Sequence, residues 1–214
     1  HSKDLVNWSE QLYIPVMQHE ENALNCWAPE IVYDDVREEY MIFWSTTISD
    51  QFTETMGSGG NKYNHRMYAV TTRDFSSFSE AQLFYDYGFN VIDGSVFKLG
   101  EQDFIMFLKD ETKIPEAQKN IRWAKAEQIG GPYSLPSEPI TGDYWAEGPS
   151  VIKFENKWWV YFDKYRKNRM GAVRSEDLVH WTDISDQISF PDKTRHGTVF
   201  QVPEKVLMNL LREE

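Results

Sequence analysis

Along most of the chain, apolar positions come in short runs or alternate with polar ones, and helical spacing is rare. The runs "APEIVYD", "EEYMIFWSTT", "RMYAVTT", "GSVFKLG", "DFIMFLKD", "PSVIKF", "KWWVYFDKY", "RMGAVRS" and "GTVFQV" are rich in β-branched and aromatic residues, and polar turns join several of them. Each reads as a strand. Only "PEKVLMNLLREE", residues 203 to 214, sets Val206, Leu207, Leu210 and Leu211 on one side of a helix. The stretch "PEAQKNIRWAKAEQI" admits a helix by composition, with Pro115 at its start. A loop followed by the strand "IRWAKAE" agrees better with the repeats that run through the chain.

Two patterns recur. "SKDLVNWSE", "TRDFSSFSE" and "SEDLVHWTD" each place an aromatic four residues after an Asp (Asp4, Asp74, Asp177), followed by Ser or Thr. Because this Asp recurs, it reads as a turn cap and not as a catalytic group. The wider gap between the second and third copies leaves room for a diverged one, "AKAEQIGGPYSLP". The second pattern is a strand start at Ile31, Val96, Val151 and Val199, spaced 65, 55 and 48 residues apart. Units of several short strands at such intervals predict a radial or stacked all-β array. In a propeller, residues just before the first strand of each unit converge on one mouth. Here they are Trp27 and Ala28, Asp93, Glu147 and His196.

Composition narrows the chemistry. The chain of 214 residues carries a net charge of −12 with no basic cluster, which argues against a nucleic-acid surface. No apolar run approaches the roughly 18 residues of a membrane span, so no membrane partner is expected. Cys26 is the only cysteine, which excludes an internal disulfide and a cysteine-rich zinc site. "TMGSGGNKYNHRM", 55 to 67, lacks the Gly-Lys-Ser/Thr of a phosphate loop and reads as a long loop between strands. Met41, Met106 and Met170 fall in strands and read as core filler.

The elements "CWAPEIVYD", "NVIDGSVFK", "YWAEGPSVIK", "MGAVRSEDLVHWTDIS" and "RHGTVFQVP", in that order, resemble glycoside hydrolase family 43. The resemblance implies an all-β, five-bladed β-propeller with a short C-terminal helix, residues 1 to 214 forming one domain whose first blade is incomplete. It implies an inverting glycosidase removing arabinofuranosyl or xylosyl residues from plant saccharides. An α-L-arabinofuranosidase is expected first and a β-xylosidase second; an endo-arabinanase and a non-catalytic carbohydrate-binding propeller are the alternatives. Glu147 is implied as the general acid and Asp93 as the group that orients and tunes it. The general base of relatives lies in a strand ahead of the Ser-x-Asp-Leu-Val-x-Trp segment, which starts here at Ser2, so the base is expected before residue 1 and the 214 residues alone are expected not to hydrolyse. The "IDGS" element departs from the family, where Pro more often follows the Asp; here Gly94 does.

Chemistry agrees with those roles. A glycosidic oxygen is a poor leaving group and needs a proton, which a Glu holds near neutral pH only beside an apolar wall or a like charge. Tyr144 and Trp145 near Glu147 in sequence, and Asp93 in space, would supply these. Trp27, followed by Ala-Pro, reads as a sugar-stacking platform or as a core Trp between blades. The resemblance places His196 at the central channel, as a substrate contact or a ligand of a structural Ca2+ or similar ion; no cofactor is required for the chemistry itself. Arg195 reads as a partner for sugar hydroxyls or a catalytic carboxylate, or as a surface residue. The expected partner is an arabinose- or xylose-containing saccharide, the expected state a monomer. A secreted or periplasmic location is expected, with a cytoplasmic one open.

Overall fold

The computed structural model describes residues 1–211. Its strands form three antiparallel sheets, each a meander in which neighbours in sequence are neighbours in space. The first joins β1 (Trp27–Asp34), β2 (Glu39–Thr46), β3 (Arg66–Thr72) and β4 (Gln82–Tyr85). The second joins β5 (Val91–Gly100), β6 (Asp103–Asp110) and β7 (Asn120–Ala126). The third joins β8 (Glu147–Phe154), β9 (Lys157–Lys164), β10 (Arg169–Ser175) and β11 (Thr182–Asp183). "IRWAKAE" is a strand, as the repeat predicts. Helix α1 spans Glu204–Leu210; the last three residues of the expected helix lie outside the described residues.

Side-chain alternation along β6 explains how the sheets stack. Phe104, Met106 and Leu108 face the first sheet, in one core with Met41, Phe43, Met67 and Tyr85. Ile105 and Phe107 point the other way, into a core with Trp158, Val160 and Phe162 of the third sheet. A strand covered on both faces reads as a continuous apolar run, because successive side chains go to opposite faces and both are buried. The first strands of the three sheets also lie side by side, with β5 packed against both β1 and β8.

The recurring Asp is a turn cap in all three copies. One Asp4 oxygen accepts the N–H groups of Val6 and Asn7, Asp74 those of Ser76 and Ser77, and Asp177 those of Val179 and His180. The residue after each Asp takes a positive φ: Leu5 at 62°, Phe75 at 58° and Leu178 at 64°. These bonds hold all three carboxyls well below their ordinary range. The diverged copy keeps one feature. Ser134 exchanges bonds with the backbone of Lys125 through its N–H and its hydroxyl, as Ser79 does with Thr71.

One strand is not formed as expected. "GTVFQV", 197 to 202, joins no sheet. Its alternation is real, but the backbone lacks a strand neighbour. Instead the Val199 N–H donates to Ser150 Oγ at 2.7 Å, and the Thr198 hydroxyl donates to Glu30 at 2.7 Å.

Candidate active site

The same irregularity opens all three first strands. Trp27 pairs with Ser45 and Glu30 with Phe43; Ile92 pairs with Lys109 and Ser95 with Phe107; Glu147 pairs with Asp163 and Ser150 with Tyr161. In each case the first strand carries one residue more than its partner, a β-bulge. The residue in the bulge has a positive φ: Ala28 at 50°, Asp93 at 55° and Gly148 at 59°. Bulges of this kind re-aim side chains at a sheet's end.

The bulge corrects one expectation. Asp93 and Glu147 are not at the same repeat position. Asp93 matches Ala28 and Gly148, whereas Glu147 matches Trp27 and Ile92, one residue earlier. The offset lets them meet: Asp93 Oδ2 accepts the Gly148 N–H at 2.9 Å, so Asp93 is tied to the backbone beside Glu147. Asp93 is buried, and burial pushes its carboxyl above its ordinary value; Lys109, His196 and the Gly148 bond oppose that rise, and Glu147 adds to it.

The two aromatic residues that precede Glu147 each have partners of their own. Tyr144 stacks on Phe162, lies under the Lys164 ammonium and donates to Asp183 at 2.7 Å. Trp145 packs on Tyr165. The group at Glu147 is a cation: Lys109 Nζ donates to its Oε2 at 3.0 Å. Lys109 also lies 2.6 Å from Glu111, which a second bond ties to Lys119.

His196 and Arg195 lie at the same mouth. The His196 ring rests on Gly148, so close that a Cβ at Gly148 would be 2.5 Å from the ring. Arg195 pairs with Asp163, a buried carboxylate of β9 whose other oxygen has no hydrogen-bond partner. Trp27 is 42% exposed and packs on Tyr63 and on the ring of His65, at 4.6 and 4.9 Å between centroids. Buried His65 takes Asn90 on Nδ1 and has no partner on Nε2. No group of three or more His, Cys, Asp or Glu among the described residues is placed to hold a metal ion.

Sequence reasoning missed Lys109, Glu111, Asp163 and His65. Lys109 and Asp163 stand opposite Ile92 and Glu147 in register, the place that buried Ser45 fills in the first sheet. The available signal was a charged residue ending an apolar strand, in "FLKD" and "VYFDK".

Residues 1–206 match the family described as "probable glycosyl hydrolase domain", related to glycoside hydrolase family 43. An α-L-arabinofuranosidase of Bifidobacterium longum subsp. longum is 36% identical over 95 residues, 42% of this chain and 9% of that protein. The exo-β-1,3-galactanase of Phanerochaete chrysosporium, solved with β-1,3-galactotriose, superposes with a TM-score of 0.62 at 13% identity, over 86% of this chain and 42% of that one. A family 43 enzyme of Xanthomonas citri, solved with xylose, gives 0.56 at 11% identity, over 75% of this chain and 54% of that one. At such identities the two structures show a common fold, and the chain spans only part of each relative's length. The match across residues 1–206 places this chain in the family of glycosyl hydrolase domains related to family 43.

Proposed function

We propose that the chain forms the acid side of a glycosidase active site, with Glu147 as general acid and Asp93 as the carboxyl that orients it. The observation that carries the reading is the bond from the Gly148 N–H to buried Asp93, which fixes the two carboxyl-bearing strands against each other beside Glu147. Glu147 is about a quarter exposed, so a saccharide oxygen can reach it. Family membership supplies the reaction class, and the partial likeness to an arabinofuranosidase favours an arabinofuranoside over a xyloside or galactoside. The three sheets are read as blades of a five-bladed propeller, with 196–202 as the inner segment of a further blade.

In this reading the mechanism is inverting. Glu147 protonates the departing oxygen while a base activates water on the opposite face, ~6.5–9.5 Å away. No residue is assigned as base: Asp163 is held by Arg195. Trp27, beside Tyr63, offers a ring for the apolar face of a sugar; Arg195 and His196 border the same mouth. A saccharide-binding propeller without catalysis is the alternative. Incubation of the intact protein with aryl α-L-arabinofuranoside, aryl β-D-xylopyranoside and a β-1,3-galacto-oligosaccharide separates these. Fastest release of arabinose supports the proposal. Binding of all three with no release supports the alternative.

A further inference from the structure

The ion pairs at the mouth follow a rule. The residue that opens one repeat meets the second-strand residue of the repeat before it. Glu147, opening the third sheet, meets Lys109 at the end of β6 in the second. Arg195, in the next segment, meets Asp163 at the corresponding place in β9. The charges reverse from one boundary to the next, and the buried member is on the second strand in both.

We propose that Lys109 is a positioning residue for the Asp93–Glu147 pair, its buried ammonium holding Glu147 across the sheet boundary and balancing both carboxyls. This rests on the roles assigned above to Asp93 and Glu147. Lys109 is 1% exposed, so it is no solvated surface lysine. Groups face it from several elements: Glu111 lies just past the end of its own strand, Asp93 comes from β5, Glu147 from β8, and the Tyr165 ring, after β9, lies 4.8 Å away. His65, just before β3, and Lys119, just before β7, lie within electrostatic reach. Burial works against the ammonium, but Glu111, Asp93, Glu147 and Tyr165 outweigh it, and Lys109 is held above its ordinary value. A cation that stays charged at all working pH lets two adjacent carboxyls share one site without mutual repulsion deciding their protonation. Glu111, paired in turn with Lys119, is a second anchor for the ammonium beside Glu147.

The test is a 13C NMR titration of side-chain carboxyls in the intact protein, with the Asp93 signal assigned through Asp93→Asn. In Lys109→Met, the Asp93 midpoint should rise by about one pH unit or more, because Lys109 opposes the rise of the Asp93 carboxyl and a nearby opposite charge is worth about that much. Lys109→Arg, which keeps the charge, should restore most of the wild-type midpoint. The pH–rate profile on an arabinoside should move to higher pH in the Met variant alone. If Lys109→Met does not fold, Lys109→Met/Glu147→Gln compared with Glu147→Gln gives the same reading without leaving Glu147 unpaired. An Asp93 midpoint that stays put when the cation is removed overturns the proposal. No hydrolysis by a full-length protein that includes the general base would sink the glycosidase reading, while the Asp93 titration would still decide this one.

Discussion

Gly148 and His65 show how single residues hold the mouth in shape. Gly148 sits at φ 59°, with its Cα under the His196 ring. A side chain here meets two obstacles. The left-handed backbone costs about 1–2 kcal/mol for a non-glycine residue, and the new methyl displaces His196. Gly148→Ala should therefore lower the urea midpoint by an amount equivalent to about 1–2 kcal/mol and shift the His196 ring signals; an unchanged midpoint would show that the bulge tolerates a side chain. His65 acts through pH. Burial, opposed by the Asn90 bond and Glu111, lowers its pKa from 6.5 to about 4. The unfolded chain takes up that proton near pH 6.5 and the folded one does not, so His65's contribution is intact above pH 6.5 and is lost as pH falls toward 4. The full shift corresponds to about 3 kcal/mol. Asp93, raised by burial, acts with the opposite sign as pH rises through the ordinary Asp range, and it does so equally in a His65→Gln variant. Urea unfolding from pH 7 to 4 should accordingly show a steeper loss in wild type than in His65→Gln, and parallel curves would contradict the assignment.

At the scale of elements, packing explains why a glycine stands at position 94. The matching positions in β1 and β8 are Pro29 and Pro149. At Gly94 a Cβ would lie 2.1 Å from Met67 Cε and 3.0 Å from Phe43 Cε2. The Met67 side chain fills the space that a side chain at 94 would take. Gly94→Ala should cost about 1–3 kcal/mol by overpacking, and Met67→Ala about 2–5 kcal/mol by leaving a cavity. The double variant should cost clearly less than their sum, because the two changes share one space; strict additivity in urea unfolding would refute this account of Gly94. The strands were legible because Val, Ile and aromatic residues mark them, and the capping Asp was legible because it recurs. The bulges were not. A one-residue slip in register is invisible until the partner strand is known; the offset between Asp93 and Glu147, by contrast, stands in the sequence itself, three residues before Val96 against four before Val151. Likewise "GTVFQV" has a strand's alternation, yet pairing depends on a neighbour that its own residues do not encode.

Across the whole molecule, chemistry emerges at the boundaries where the first strands meet. Asp93 comes from the second sheet, Glu147 from the third, Trp27 from the first, and Arg195 and His196 from the segment after the third. The approach of Asp93 and His196 to Gly148 agrees with the spacing of strand starts, while Trp27 packs on Tyr63 and His65. The charged partners were not readable. Lys109 and Asp163 lie in apolar strands and become meaningful only when the adjacent sheet places Glu147 and Arg195 against them. The central claim is that Glu147 delivers the proton. Its most direct test is kcat/KM of Glu147→Gln in the intact enzyme on an unactivated arabino-oligosaccharide, alongside the binding constant for the same saccharide. kcat/KM should fall about 10²–10⁴-fold with binding essentially kept; turnover at the wild-type rate would rule out Glu147 as the proton donor.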